Sequence, residues 1–137
     1  MIELAFVLAA PFATALLLGL FGHRRGAAEI NSAGSLLTLL AAGLLTMRVI
    51  GEGPLILFDE QFFVDPLNVF LIALTALVGF TTSLFSRPYM RVEHDHGRLS
   101  AARLRLYHSM FQMFMCTMLV ALSTNNLGIL WVAMETA

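Results

Sequence analysis

The sequence predicts an all-α fold: a polytopic transmembrane helix bundle with four complete spans, the start of a fifth, and a short external β-hairpin-like segment. The 137-residue chain is 58% hydrophobic and only 12% charged, whereas soluble domains average about 25% charged residues. Apolar runs long enough to cross a bilayer, which takes about 20 helical residues, recur along the chain. Short polar segments separate these runs, as expected for a chain that crosses a membrane several times.

The predicted spans follow the apolar runs. The four complete spans cover residues 2–21, 33–50, 65–85 and 104–122, and a fifth starts near residue 126. The third span has a favourable start, because an Asp side chain (Asp65) caps helix amides and a proline (Pro66) suits the first helical position. The segment 86–103 is the most polar part of the chain and is predicted to be a loop.

Residues 55–64 are too short and too acidic to form a span. Two apolar runs flank Asp59, Glu60 and Gln61, which is typical of a β-hairpin. We expect this hairpin to lie at the membrane surface with a structural role.

The charges in the loops predict an orientation. The first loop carries Arg24 and Arg25, and the third carries four of the eight arginines. The second loop is acidic, and the fourth, at residues 123–126, has no charge. Short loops rich in Lys and Arg stay in the cytoplasm. The N-terminus is therefore predicted outside, with the fifth span running inward.

Glu135 is the main candidate site residue. It lies nine residues into the apolar stretch that starts at Asn126, which is about 13 to 14 Å of helix and close to the midplane of a hydrocarbon core about 30 Å thick. An acid there costs roughly 2.5 to 3.5 kcal/mol. The hypothesis is a group that takes up and releases a proton; the alternative is an acid that pins two helices together. The chain contains no lysine to pair with it.

His108 is the second candidate for proton transfer. Gln112 lies four residues further on, so both side chains share one face of the fourth helix. His108 could serve as a proton stepping-stone between cytoplasm and membrane centre. The alternative is a hydrogen bond between helices near the membrane interface.

Other motifs are weaker. The run from Glu93 to His96 contains a His-x-His spacing, but a solvated loop explains it better than a metal site. Cys116 lies in an apolar run and is predicted to be a packing residue. The methionines of the fourth helix predict packing and lipid-facing surface. With a net charge of −1, we expect no nucleic-acid partner, and we predict no metal site, cofactor or redox centre in this chain.

Three segments carry a resemblance to a known family: residues 63–68 (FVDPLN), 103–108 (RLRLYH) and 125–135 (NNLGILWVAME). They resemble the antiporter-like membrane subunits of respiratory complex I and membrane-bound hydrogenases, and most of all hydrogenase-4 component F and formate hydrogenlyase-type subunits. The third segment is the most specific, and the resemblance extends over essentially the whole chain.

The resemblance implies a role for Glu135. It matches the acid on the fifth span of these subunits, whose lysine partner on the seventh span has no counterpart here. Family members are longer, so we expect an N-terminal fragment that could not conduct alone. Residues 1–103 would form helices 1–3 with the hairpin and a cytoplasmic loop. Residues 104–137 would start the proton-conducting antiporter-like repeat, truncated in helix 5.

The predicted function is a proton-translocating membrane subunit of a hydrogenase or NADH dehydrogenase (complex I)-like redox complex, non-catalytic in itself. Electron transfer would belong to a peripheral redox arm and other membrane subunits. The expected location is the bacterial inner membrane, with lipid as a partner and no small-molecule substrate. The alternatives are a subunit of a multisubunit cation/proton antiporter without a redox partner, and a bundle with only an assembly role.

Overall fold

The computed structural model describes residues 2–21, 27–57, 61–95, 97 and 101–137. The elements in chain order are α1 (Ile2–Phe21), α2 (Ala27–Glu52), β1 (Leu55–Leu57), β2 (Phe62–Val64), α3 (Pro66–Asp95), α4 (Ala101–Ser123) and α5 (Leu127–Thr136). Within these residues, α1 to α4 are each long and apolar enough to cross a membrane, and α5 is a shorter apolar helix. The predicted all-α membrane bundle is confirmed.

Three helices extend beyond the predicted spans, among them α4, which begins at Ala101 rather than residue 104. α2 begins at Ala27 rather than residue 33, and α3 continues through Pro88 to Asp95. The prediction of a loop over 86–103 is therefore wrong for residues 86–95 and 101–103. Hydropathy marks where the chain leaves the apolar core, whereas a helix satisfies its own backbone hydrogen bonds and can continue into water. Ala and Glu in residues 27–32, and Arg and Glu in residues 86–95, are also good helix formers.

The first four helices form an up-and-down bundle. α1 packs against α2 and α4, α2 packs against α3, and α3 packs against α4. We call the end where α2 finishes and α3 starts the hairpin end, and the end where α1 finishes and α2 starts the far end. The buried apolar cluster includes side chains from α1 to α4 and β2, among them Leu4, Leu45, Val64, Ile72 and Leu119.

The predicted hairpin is present at the hairpin end. β1 and β2 pair antiparallel, with Leu55 opposite Val64 and Leu57 opposite Phe62. The turn residues Asp59 and Glu60 lie outside the described residues. The hairpin leads directly into α3, whose start is capped as predicted: the Asp65 carboxylate accepts a 2.7 Å hydrogen bond from the backbone N–H of Asn68.

Polar contacts at the hairpin end tie the hairpin to α3 and tie α2 to α1. The Asn68 side-chain amide donates to the Phe63 carbonyl at 2.9 Å. Arg48, near the end of α2, forms ion pairs with Glu3 of α1 and with Glu52, the latter at 3.2 Å. The Arg48–Glu3 pair therefore joins α1 to α2, and the Asn68 bond joins α3 to the hairpin.

Glycine permits the close approach of α1 and α2. A Cβ added at Gly34 would collide with the Thr14 side chain of α1, which is buried and donates to the Ala10 carbonyl at 2.7 Å. A Cβ added at Gly43 on the same helix would meet no heavy atom within 4 Å. The two glycines therefore differ in the packing that they permit.

We expect Gly34→Ala to lower the free energy of unfolding by about 1 to 3 kcal/mol, because the β-branched Thr14 cannot move aside without strain. The measurement is denaturant unfolding in mixed micelles followed by circular dichroism. Gly43→Ala is the matched control and should stay within about 0.5 kcal/mol of the parent. Equal effects of the two substitutions would contradict the close α1–α2 contact.

Candidate functional site

Asn126 fixes the start of α5. Its backbone is extended (φ −103°, ψ 120°), and its side-chain oxygen accepts hydrogen bonds from the N–H groups of Gly128 and Ile129 at 2.8 and 3.2 Å. This is the N-cap geometry that satisfies otherwise unpaired amides of a first helical turn. The predicted start of the fifth helix near residue 126 is confirmed.

Gln61 joins the hairpin to the turn between α4 and α5. Its backbone carbonyl accepts hydrogen bonds from the N–H of Asn125 at 2.7 Å and from the Thr124 hydroxyl at 3.0 Å. Its side-chain oxygen accepts from the Asn126 amide. Phe62 also forms a β-bridge with Thr124. The hairpin therefore positions α5, and with it the acid that α5 carries.

Glu135 lies eight residues after the first residue of α5, about 12 Å along the helix axis. Its side chain is exposed, whereas Ala133 is the buried residue of this helix. The two residues are two positions apart, or about 200° around the helix, so Glu135 points away from the bundle. Among the described residues, no basic side chain forms an ion pair with it. Its predicted proton role remains a prediction.

An apolar groove of about 430 Å³ runs along the other side of α5. Its walls come from α1, α4 and α5, and include Phe12, Cys116, Val120, Val132 and Ala133. Glu135 does not line it. The groove is therefore a packing feature of the helix interfaces and not the environment of the acid.

A buried polar contact joins α2 to α4 near the far end. Gln112 is 1% exposed, and its Nε2 lies 2.6 Å from the Asn31 Oδ1, 2.9 Å from the Ser35 Oγ and 3.1 Å from the Asn31 carbonyl. Asn31 and Ser35 are also buried, at 1% and 2% exposed. Hydrogen bonding between helices was the alternative role considered for His108. In the structure Gln112 makes such bonds.

His108 lies one turn before Gln112 on the same face of α4 and is also 1% exposed. The Tyr107 ring packs against its edge with centroids 5.2 Å apart. Glu29, in the first turn of α2, is close enough to act electrostatically on the imidazole. Neither ring nitrogen has a hydrogen-bond partner among the described residues. The interhelical hydrogen bond considered for His108 is therefore not formed with any of them.

The other sequence candidates are placed as follows. His96 lies outside the described residues, as do the side chains of Glu93, His94 and Asp95, so the His-x-His hypothesis stays untested. No group of three metal-ligating side chains occurs in the described part of the chain. Cys116 is half-buried, and its Sγ lies 3.6 Å from the Leu8 carbonyl, consistent with the packing role predicted for it.

Some residues of the α2–α4 contact were not predicted. The predicted second span began at residue 33, which left Glu29, Asn31 and Ser32 outside the predicted helix. A signal was present, because Asn31, Ser35 and Thr38 are spaced four and three apart and share one helix face. The contact of Gln61 with residues 124–126 had no such signal, since about 63 residues of chain separate the partners.

Among known proteins, a hydrogenase-4 component F homolog is similar to this chain, whereas no family model matches it. The chain is 38% identical over 133 residues to the hydrogenase-4 component F homolog of Methylacidiphilum infernorum (isolate V4). The predicted resemblance is confirmed. The alignment covers 97% of this chain and 27% of the relative, so the chain spans about a quarter of the length of this hydrogenase-4 component F homolog. The similarity to this relative and the four apolar helices of the chain together indicate a multi-pass membrane protein.

The N-cap of α5 gives a first prediction for this site. Asn126→Ala should destabilise the first turn by about 1 kcal/mol, which corresponds to about fivefold faster amide hydrogen exchange at Gly128 and Ile129. Asn126→Asp keeps the acceptor oxygen and should retain their protection. Exchange at the parental rate in the alanine variant would show that the cap does not hold α5.

The α2–α4 contact gives a second prediction. Gln112→Leu removes the donor shared by Asn31 and Ser35, and should lower the free energy of unfolding by about 1 to 3 kcal/mol, because buried acceptors are left without a partner. Denaturant titration in mixed micelles measures it. Met110→Leu on the same helix, where the side chain is 59% exposed, should have little effect. An unchanged free energy of unfolding in Gln112→Leu would argue against the polar contact.

Proposed function

We propose that this chain is part of a proton-translocating membrane subunit of a hydrogenase or complex I-like redox complex, with Glu135 as its central protonatable group. The observation that carries the proposal is the placement of Glu135, about 12 Å into an apolar helix whose start is held by Asn126 and Gln61. The 38% identity to a hydrogenase-4 component F homolog supports the choice of complex.

The physical argument starts from the cost of the acid. A carboxylate in the hydrocarbon core costs roughly 2.5 to 3.5 kcal/mol on insertion scales, so such residues usually face a partner or a water-filled path. Glu135 faces away from α4, toward space that no described residue occupies. A cation brought there by a neighbouring helix or subunit would favour its ionised form, and removal of that cation would favour protonation. This alternation is the elementary step of proton transfer.

In this proposal the bundle lies in a bacterial inner membrane with its N-terminus outside. The hairpin end then faces outward and the far end faces the cytoplasm, as the loop charges predict. Lipid, other membrane subunits and a peripheral redox arm are the proposed partners. The chain itself would hold the proton site and would carry no redox centre.

Glu135→Gln in the assembled complex should reduce proton pumping by about 100-fold or more, because the amide cannot exchange a proton, while electron transfer by the redox arm continues. The measurement is pH-indicator quenching in proteoliposomes during turnover. Glu52→Gln is the control, since Glu52 is an acid at the hairpin end of α2, paired with Arg48 at 3.2 Å. Unchanged pumping in an intact complex with Glu135→Gln would refute the assignment.

Purification of the intact complex separates this proposal from the antiporter alternative. A nickel–iron or iron–sulfur arm that co-purifies with the chain supports the redox complex. Only small membrane subunits, with sodium- or potassium-driven proton exchange in vesicles, would instead identify a cation/proton antiporter. Pumping that persists after neutralisation of Glu135 would leave the chain an assembly role alone.

A further inference from the structure

The α2–α4 interface contains more buried polar groups than its hydrogen bonds satisfy. The Gln112 amide serves Asn31 and Ser35. Four further buried atoms have no hydrogen-bond partner among the described residues: Nδ2 of Asn31, Oγ of Ser32, and Nδ1 and Nε2 of His108. Burying such groups without a partner is unfavourable, so we expect them to bind a ligand.

The chemistry of these atoms identifies that ligand. The Asn31 amide is a donor, the Ser32 hydroxyl both donates and accepts, and the imidazole offers one donor and one acceptor when neutral. A metal cation would need a set of acceptors, and an anion would need a set of donors. Water supplies both functions, and buried waters typically bind two to four such groups.

A charge lies beside the same groups. Glu29 and Ser32 are three residues apart and share one face of α2, and the Glu29 carboxylate acts electrostatically on the His108 ring. Tyr107 contacts the imidazole from its own helix. From α1, α3 and α5, no charged side chain among the described residues acts on it. A proton gained by His108 is thus balanced by a carboxylate at the same interface.

We propose that the α2–α4 polar cluster, made of Glu29, Asn31, Ser32, His108 and Gln112, is a hydrated protonation site in the far-end half of the bundle. Water enters at the first turn of α2, next to Glu29, and reaches the imidazole. A ring nitrogen takes one proton from this water, and the aqueous phase supplies a proton to the water in its place. The imidazole releases its proton by the reverse route. Gln112 positions the cluster by holding α2 against α4.

This site adds a second protonatable group to the proposed function. Only the direction of proton movement beyond His108 rests on the proposed function. With the far end in the cytoplasm, the cluster would load protons on the side from which a pump takes them. The hydration and protonation of His108 do not depend on Glu135, which lies on a different helix and points away from the bundle. The two proposals can therefore fail separately.

The test is nitrogen-15 NMR of the imidazole in the full chain, reconstituted in lipid nanodiscs. The chain has four histidines, so replacing His23, His94 and His96 with glutamine leaves His108 as the single imidazole. We expect its resonances to respond to bulk pH between about pH 5 and 8 and to receive magnetisation from water. An imidazole that stays in one state over that range, without water transfer, overturns the proposal.

Two acid substitutions on α2 then test the role of Glu29. Glu29→Gln should shift the midpoint of the His108 titration, because the carboxylate that acts on the imidazole is removed. Glu52→Gln, at the opposite end of the same helix, should leave the midpoint in place. Equal midpoints in all three proteins would remove Glu29 from the site.

Glu135→Gln separates this site from the proposed function. We expect the His108 titration to be unchanged in that variant, even where proton pumping by the assembled complex is lost. A His108 that titrates in a protein whose pumping survives Glu135→Gln would keep the hydrated site and refute the role of Glu135. If His108 does not titrate and the complex pumps only with Glu135 intact, the hydrated site is refuted and the role of Glu135 is kept.

Discussion

A membrane interior supplies no hydrogen-bond partners, so every polar group in this bundle must find one within the protein or from internal water. That constraint explains where the polar side chains lie. At the hairpin end, Gln61 and Asn126 satisfy the backbone at the turn into α5. In the far-end half, the Gln112 amide donates hydrogen bonds to the side chains of Asn31 and Ser35. Between these two points the helices pack largely through apolar side chains.

The bundle thus has two halves with different chemistry. Toward the hairpin end the core is apolar, with Leu45, Ile72 and Leu119 fully buried. Toward the far end, buried Asn31, His108 and Gln112 replace them. The second half retains polar atoms that exchangeable water can serve, which is the property a path for protons needs.

Much of the fold could be predicted from the sequence, because hydropathy and helix signals act over short distances. The number of spans, the hairpin at 55–64 and the helix starts at Asp65 and Asn126 all follow from local patterns. The helix extensions at Glu29 and in residues 86–95 did not follow, because a helix can continue after its apolar stretch ends. The error at Glu29 concealed three of the five members of the polar cluster, since it left Glu29, Asn31 and Ser32 outside the helix.

By itself the sequence determined the membrane class of this protein, the depth of Glu135 along its helix and the resemblance to hydrogenase-4 component F. Each depends on composition or on residues that are close in the chain. Only the tertiary structure decided which faces meet. It placed Gln61 against the turn before α5, Gln112 against Asn31, and Glu135 on the side of α5 away from the bundle. The two contacts join residues 63 and 81 positions apart, and no local pattern specifies them because they depend on how the helices pack.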